Sequence, residues 1–146
     1  MKPMYADNDS KFIAVLNRKI ETPKLMNALG HMTVGLMAKL PAVDKSKPLK
    51  YEFEASWADP SLISLYPFIL LAAKNNNQLK TLHLRANELG VCHNAFTDSM
   101  LGSSASEQQQ QTKEVETDNL TYFGIVIFGA TEQLTDLTRK YSLFKG

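Results

Sequence analysis

Lys24 and His31 stand seven residues apart in a stretch with helical periodicity. At about 100° per residue, seven residues return to within roughly 20° of the start, so both side chains leave one face of a helix. An ammonium there could position a substrate or stabilise developing negative charge, and an imidazole could move a proton. Asn27, between them on that face, could orient a bound group. The same residues also fit a plainer reading, a solvated lysine beside a histidine satisfied at a helix–sheet edge.

A second cluster runs Cys92-His93-Asn94-Ala95-Phe96-Thr97-Asp98. It sits at the end of an apolar run that reads as a strand, and ligands of open α/β sheets bind just beyond the carboxyl ends of strands. Asn94 and Thr97 are therefore candidate ligand contacts, and Asp98 is a candidate general base. All three types also hydrogen-bond their own backbone in turns, so turn chemistry accounts for them as well. Cys92 and His93, with His31 as a third donor, have no metal-site spacing, and a lone strand cysteine is more often a small buried hydrophobe. His83 reads as packing or surface. Glycine-rich phosphate loops, nucleophile elbows and HExxH are absent, so neither a metal nor a cofactor is expected.

These residues need elements to hold them. Phe12–Leu16 is a continuous apolar run with β-branched members, suited to a strand covered on both faces. Thr22-Pro23 then reads as a helix start, with threonine as cap and proline in the first turn. The helix runs from Pro23 to about Lys39, before Pro41. Leu25, Leu29, Met32 and Leu36 form its apolar stripe. Gly30 and Gly35 each cost about 1 kcal/mol of helix propensity, which predicts close packing on this helix.

Tyr51–Ala55 alternates like a half-exposed strand, and Pro67 makes Phe68–Leu71 a bent or edge-adjacent one. Asn75-Asn76-Asn77 offers caps for a helix over about Gln78–Leu89, with Gly90 as its left-handed stop. Val91–Ala95 follows as a third strand. Gly102–Asn119, rich in Ser, Gln and charge, reads as a mobile loop. Leu120–Phe128 is the strongest strand signal, and a last helix with Leu134, Leu137 and Tyr141 on one face closes the chain. The order β-α-β-β-α-β-loop-β-α predicts one α/β domain over residues 1–146, a three-layer sandwich of a small mixed sheet with helices on both faces. Residues 1–10 read as a loose arm.

With 146 residues, 44% hydrophobic and 21% charged, the chain can bury one genuine core. The net charge of +1 lacks the basic bias of a dedicated duplex binder, which disfavours nucleic acid as partner. One cysteine excludes an intrachain disulfide. No apolar run is long enough for a membrane span or a signal core, so a cytoplasmic protein without a membrane partner is the default expectation.

The first helix resembles that of the type II peptidyl-tRNA hydrolases, which open it with glycine-lysine, then glutamine, then histidine-alanine. Pro23-Lys24, Ala28 and His31-Met32 occupy those places, so lysine and histidine match and glutamine does not. The enzymes' aspartate-alanine-glycine motif falls near Asn94-Ala95-Phe96, with no carboxylate opposite the catalytic aspartate. The chain is more similar to an uncharacterised sister family, the domain of unknown function "two-thousand". That likeness lies in Pro23 with Asn27-Ala28, the Phe96-Thr97-Asp98-x-Met100 turn and the Tyr122–Gly129 strand with its helix. The resemblance implies the peptidyl-tRNA-hydrolase-like α/β fold, a homodimer as one option, and no established activity. Two functions remain open. One is a domain binding a small molecule or protein, with the 102–119 loop as a further partner segment. The other is an ester or amide hydrolase, with Lys24 stabilising charge and Asp98 or His31 as general base.

Overall fold

A computed structural model of the chain describes residues 9–40, 48–51, 61–64, 66–100 and 120–146. Strand β1 spans Ser10–Asn17 and helix α1 spans Thr22–Lys39. A separate antiparallel pair follows, β2 (Pro48–Tyr51) with β3 (Ser61–Ser64). Then come β4 (Phe68–Ala73), α2 (Asn76–Leu89), β5 (Cys92–Thr97) and a 3₁₀ turn at Asp98–Met100. Strand β6 (Tyr122–Ala130), helix α3 (Thr131–Leu137) and the two-residue β7 (Ser142–Leu143) complete the order.

The main sheet has five strands in the order β5-β6-β1-β4-β7. β1 and β4 are parallel, and β6 is antiparallel to both β1 and β5. The sheet is therefore mixed, and β1 and β6 lie at its centre. Alternation along β1 splits the core in two. Phe12, Ala14 and Leu16 meet Leu25, Ala28, Met32 and Leu36 of α1 on one face. Ile13 and Val15 meet Leu79, Leu82 and Ala86 of α2 and Leu134 and Leu137 of α3 on the other. Helices cover both faces, which is why β1 and β6 read as unbroken apolar runs.

Local chemistry sets the boundaries. The Asn75 side chain accepts the Gln78 N–H at 3.0 Å, and Gly90 ends α2 in the left-handed region at φ 66°. At α1 the cap position belongs to Glu21, without a side-chain cap bond, and Thr22 is already helical. The Glu21 carbonyl still accepts the Leu25 N–H at 3.1 Å, and proline in the first turn supplies the pre-set φ. β5 is an edge strand, shifted toward Thr97 relative to the expected Val91–Ala95.

At the C-terminus the helix stops at Leu137, four residues before Tyr141, which the apolar pattern assigns to the same helical face. Tyr141 is buried nonetheless, because the chain turns it back under α2 and its hydroxyl donates to the Gln78 carbonyl at 2.9 Å. The next residues then pair with β4 as β7. Ser10 belongs to β1 rather than to a loose arm, and the Asp9 carbonyl accepts the Thr131 N–H at 3.0 Å. Residues 1–8, most of the expected Tyr51–Ala55 strand and the 102–119 loop lie outside the described residues.

Candidate functional site

The pairing places the carboxyl ends of β1, β4 and β5, the start of β6 and the start of α1 at one end of the sheet. Asn17 closes β1 there. Its side-chain amide donates to the Tyr122 carbonyl at 2.9 Å, and its side-chain oxygen accepts the Lys19 N–H at 3.0 Å. It is buried, and both bonds hold the turn that feeds α1 against the mouth of β6. Nothing in sequence marks Asn17 as more than the polar end of an apolar run.

Lys24, Asn27 and His31 are exposed on α1. Among the described residues Lys24 and Asn27 make no hydrogen bond or ion pair. The His31 ring stacks on Phe96 of β5, with centroids 6.1 Å apart and planes 28° apart.

The three candidates around the end of β5 are engaged within the fold. Asn94 donates its amide to the Met32 carbonyl at 2.9 Å, which ties the edge strand to the middle of α1. The Thr97 and Ser99 hydroxyls share a hydrogen bond of 2.7 Å, and both residues are buried. The Asp98 carboxylate accepts the Thr121 N–H at 3.1 Å, and the Asp98 N–H donates to the Thr121 carbonyl at 3.0 Å. That reciprocal pair closes the ladder just beyond the register shift at Phe96/Thr97. Lys24 and Asp98 form no ion pair. The six residues thus divide into an exposed trio on α1 and a bonded trio at β5 and the turn after it.

A third group, which sequence does not bring together, lies on the opposite face. His83 of α2 meets the Tyr122 hydroxyl at 2.7 Å through Nδ1, and its ring packs edge-on against His93 with centroids 5.2 Å apart. His93 Nδ1 is fixed by the Val91 carbonyl at 2.7 Å, where it must be the donor. Burial lowers the His83 pKa below 6.5, and the nearby His93 and then Lys39 push in the same direction. Burial also raises the Tyr122 pKa, against a smaller opposing pull from Lys80.

The His83 shift predicts the sign of a pH effect. The unfolded chain takes up a proton near pH 6.5 while the folded chain still resists it, so protonation favours unfolding as pH falls. Thermal melts should therefore show stability lost progressively below pH 6.5, down to the lowered folded-state pKa. His83→Gln should flatten that part of the curve. An unchanged slope in the variant would show that other groups carry it.

Among the described residues there is no group of three or more metal-ligating side chains, and no helix is long and apolar enough to cross a membrane.

Comparison with known proteins adds fold and family. A solved structure of a protein of unknown function from Agrobacterium tumefaciens strain C58 superposes with a TM-score of 0.77 at 14% identity, covering 94% of this chain and 98% of that one. At that identity the likeness speaks to the fold alone. A search of the curated proteins returns no match. Residues 10–145 match the model of a family described as "Protein of unknown function (DUF2000)", and the chain belongs to that family.

Proposed function

We propose that the protein is a binding domain, which docks a protein surface on the outer face of α1 and takes a second copy of itself as that surface. The observation that carries this reading is an exposed apolar stripe of Met26, Gly30, Val34 and Met37, at i, i+4, i+8 and i+11. It lies opposite the buried stripe of Leu25, Ala28, Met32 and Leu36. Val34 is 74% exposed at its centre. The stripe carries no charge, so a two-fold copy meets no like-charge repulsion. An antiparallel crossing at Gly30 would set Met26 of one copy against Val34 of the other.

Gly30 supports the same reading. A Cβ there meets nothing within 4 Å, so packing inside the chain does not require glycine. Its helix-propensity cost of about 1 kcal/mol is offset if a second helix approaches closely at that point. Lys24, Asn27 and His31 flank the stripe with unpaired polar groups, as a polar rim would.

Sedimentation equilibrium tests this. The wild type should associate at concentrations of about 10–100 µM, and Val34→Lys should weaken association at least tenfold while leaving the melting temperature unchanged. Gly30→Ala should raise the stability of the isolated chain by about 1 kcal/mol and yet weaken association. A wild type that stays monomeric up to about 1 mM would remove self-docking.

The hydrolase reading, by likeness to the type II peptidyl-tRNA hydrolases, rests on Lys24 with Asp98 or His31 as general base. Under the binding reading, hydrolysis of N-blocked aminoacyl-tRNA by the wild type stays at the level of Lys24→Ala. Turnover lost only in the variant would favour the hydrolase instead.

A further inference from the structure

On the face of the sheet opposite α1, helices α2 and α3 leave a cavity of about 170 Å³. Its floor is apolar, made by the buried Leu82, Leu137 and Tyr141. Its rim is cationic, with Arg85, Arg139 and Lys140 against a single carboxylate, Asp136. Asp136 is already held by Arg139 through an ion pair. Arg85 makes no hydrogen bond or ion pair among the described residues, and it stands close enough to the Tyr141 hydroxyl to oppose the rise that burial imposes on its pKa, to about 12. The Lys140 ammonium lies 5.6 Å from the Tyr141 ring centroid.

We infer that this cavity binds a small aryl or similarly compact phosphate monoester, with the phosphate at Arg85 and Lys140 and the apolar body on the Leu82–Leu137–Tyr141 floor. The volume of about 170 Å³, open to solvent at the rim, limits the body to something compact. Charge fits the head group. A guanidinium offers a planar fork that matches two phosphate oxygens at once, and Arg85 has no carboxylate competing for it. The Thr81 hydroxyl at the rim adds a neutral donor. A cationic rim over an apolar floor also discriminates. Inorganic phosphate cannot use the floor, and a neutral phenol cannot use the rim.

This inference is independent of docking on α1, because the two surfaces lie on opposite faces of the sheet. Phenyl phosphate is the probe, titrated into the full chain and followed by amide chemical shifts and by calorimetry at low salt. Saturable binding is expected, with shifts centred on Thr81, Arg85, Leu137 and Tyr141. Arg85→Gln should weaken it at least tenfold, with an unchanged melting temperature because the Arg85 side chain is exposed. Raising the salt should weaken it further, as an ionic contact requires. Lys24→Gln, on the other face, should bind as the wild type does. Phenol or inorganic phosphate binding as tightly as phenyl phosphate would overturn the assignment. So would the absence of saturation, or an Arg85→Gln variant that binds unchanged.

Discussion

Gly124→Val is expected to destabilise the fold by about 3 kcal/mol, a large fraction of the stability of a domain of this size. Gly124 is in β6 at the centre of the sheet and is paired with Leu16 of β1. A Cβ built there lies 2.9 Å from the Val15 carbonyl oxygen, 2.8 Å from Leu16 Cδ2 and 3.0 Å from Met32 Cε. The two side chains can turn aside. The carbonyl cannot, because it belongs to the ladder of a strand bonded on both edges. Valine adds two methyl groups to that conflict and pushes α1 off the sheet. Urea unfolding measures the effect, with Gly124→Ala expected to fall between valine and wild type. A valine variant as stable as wild type would mean that β1 and β6 yield far more easily than a central pair should.

The second large effect is a change of sign. Gly35→Ala should destabilise the wild type, because its Cβ would lie 2.5 Å from the Asn94 amide nitrogen. That amide must then move and release the Met32 carbonyl, losing a bond of about 1 kcal/mol together with the packing around it. In an Asn94→Ala background the obstacle is gone, and the same substitution should stabilise the chain by up to about 1 kcal/mol through helix propensity alone. The coupling between the two sites is therefore expected at roughly 2 kcal/mol, well above the scatter for independent sites. Chemical denaturation of the four proteins in the cycle measures it. Additive effects would show that Asn94 does not hold β5 to α1.

These two glycines and Gly30 show how the sequence reading divides. Glycine in a helix signals a reason for its cost, and sequence assigns Gly30 and Gly35 the same reason, close packing. The structure separates them. Gly35 faces Asn94 of the edge strand, whereas Gly30 faces open space. The difference is about 140° of helix rotation relative to a neighbour that is 59 residues away in the chain, and only tertiary packing supplies that neighbour.

The candidate site divides in the same way. Helical spacing alone places Lys24, Asn27 and His31 on one face, and they share one exposed face of α1. For Asn94, Thr97 and Asp98, a strand-end position was compatible with ligand contact or turn chemistry. Their hydrogen bonds to Met32, Ser99 and Thr121 depend on where α1 and β6 come to rest. The Asn17 bridge, the His83–Tyr122 contact and the α2–α3 cavity join residues 105, 39 and tens of positions apart, and no local pattern signals them.

By itself the sequence determined what depends on short range: the apolar runs of β1 and β6, the stripes of α1 and α2, the Asn75 cap and the Gly90 stop, and hence a mixed sheet between helices. These follow from side-chain periodicity and backbone preference, which act within a few residues. The tertiary structure decided strand order, the edge position of β5, the return of Tyr141 into the core, and which polar groups face one another. Those depend on contacts between distant segments, whose partners become defined only when the sheet is assembled. For Lys24 and His31, sequence supplied the shared face. The surface beside them, an uncharged stripe that includes Gly30 and Val34, is visible only once the opposite side of α1 has been buried.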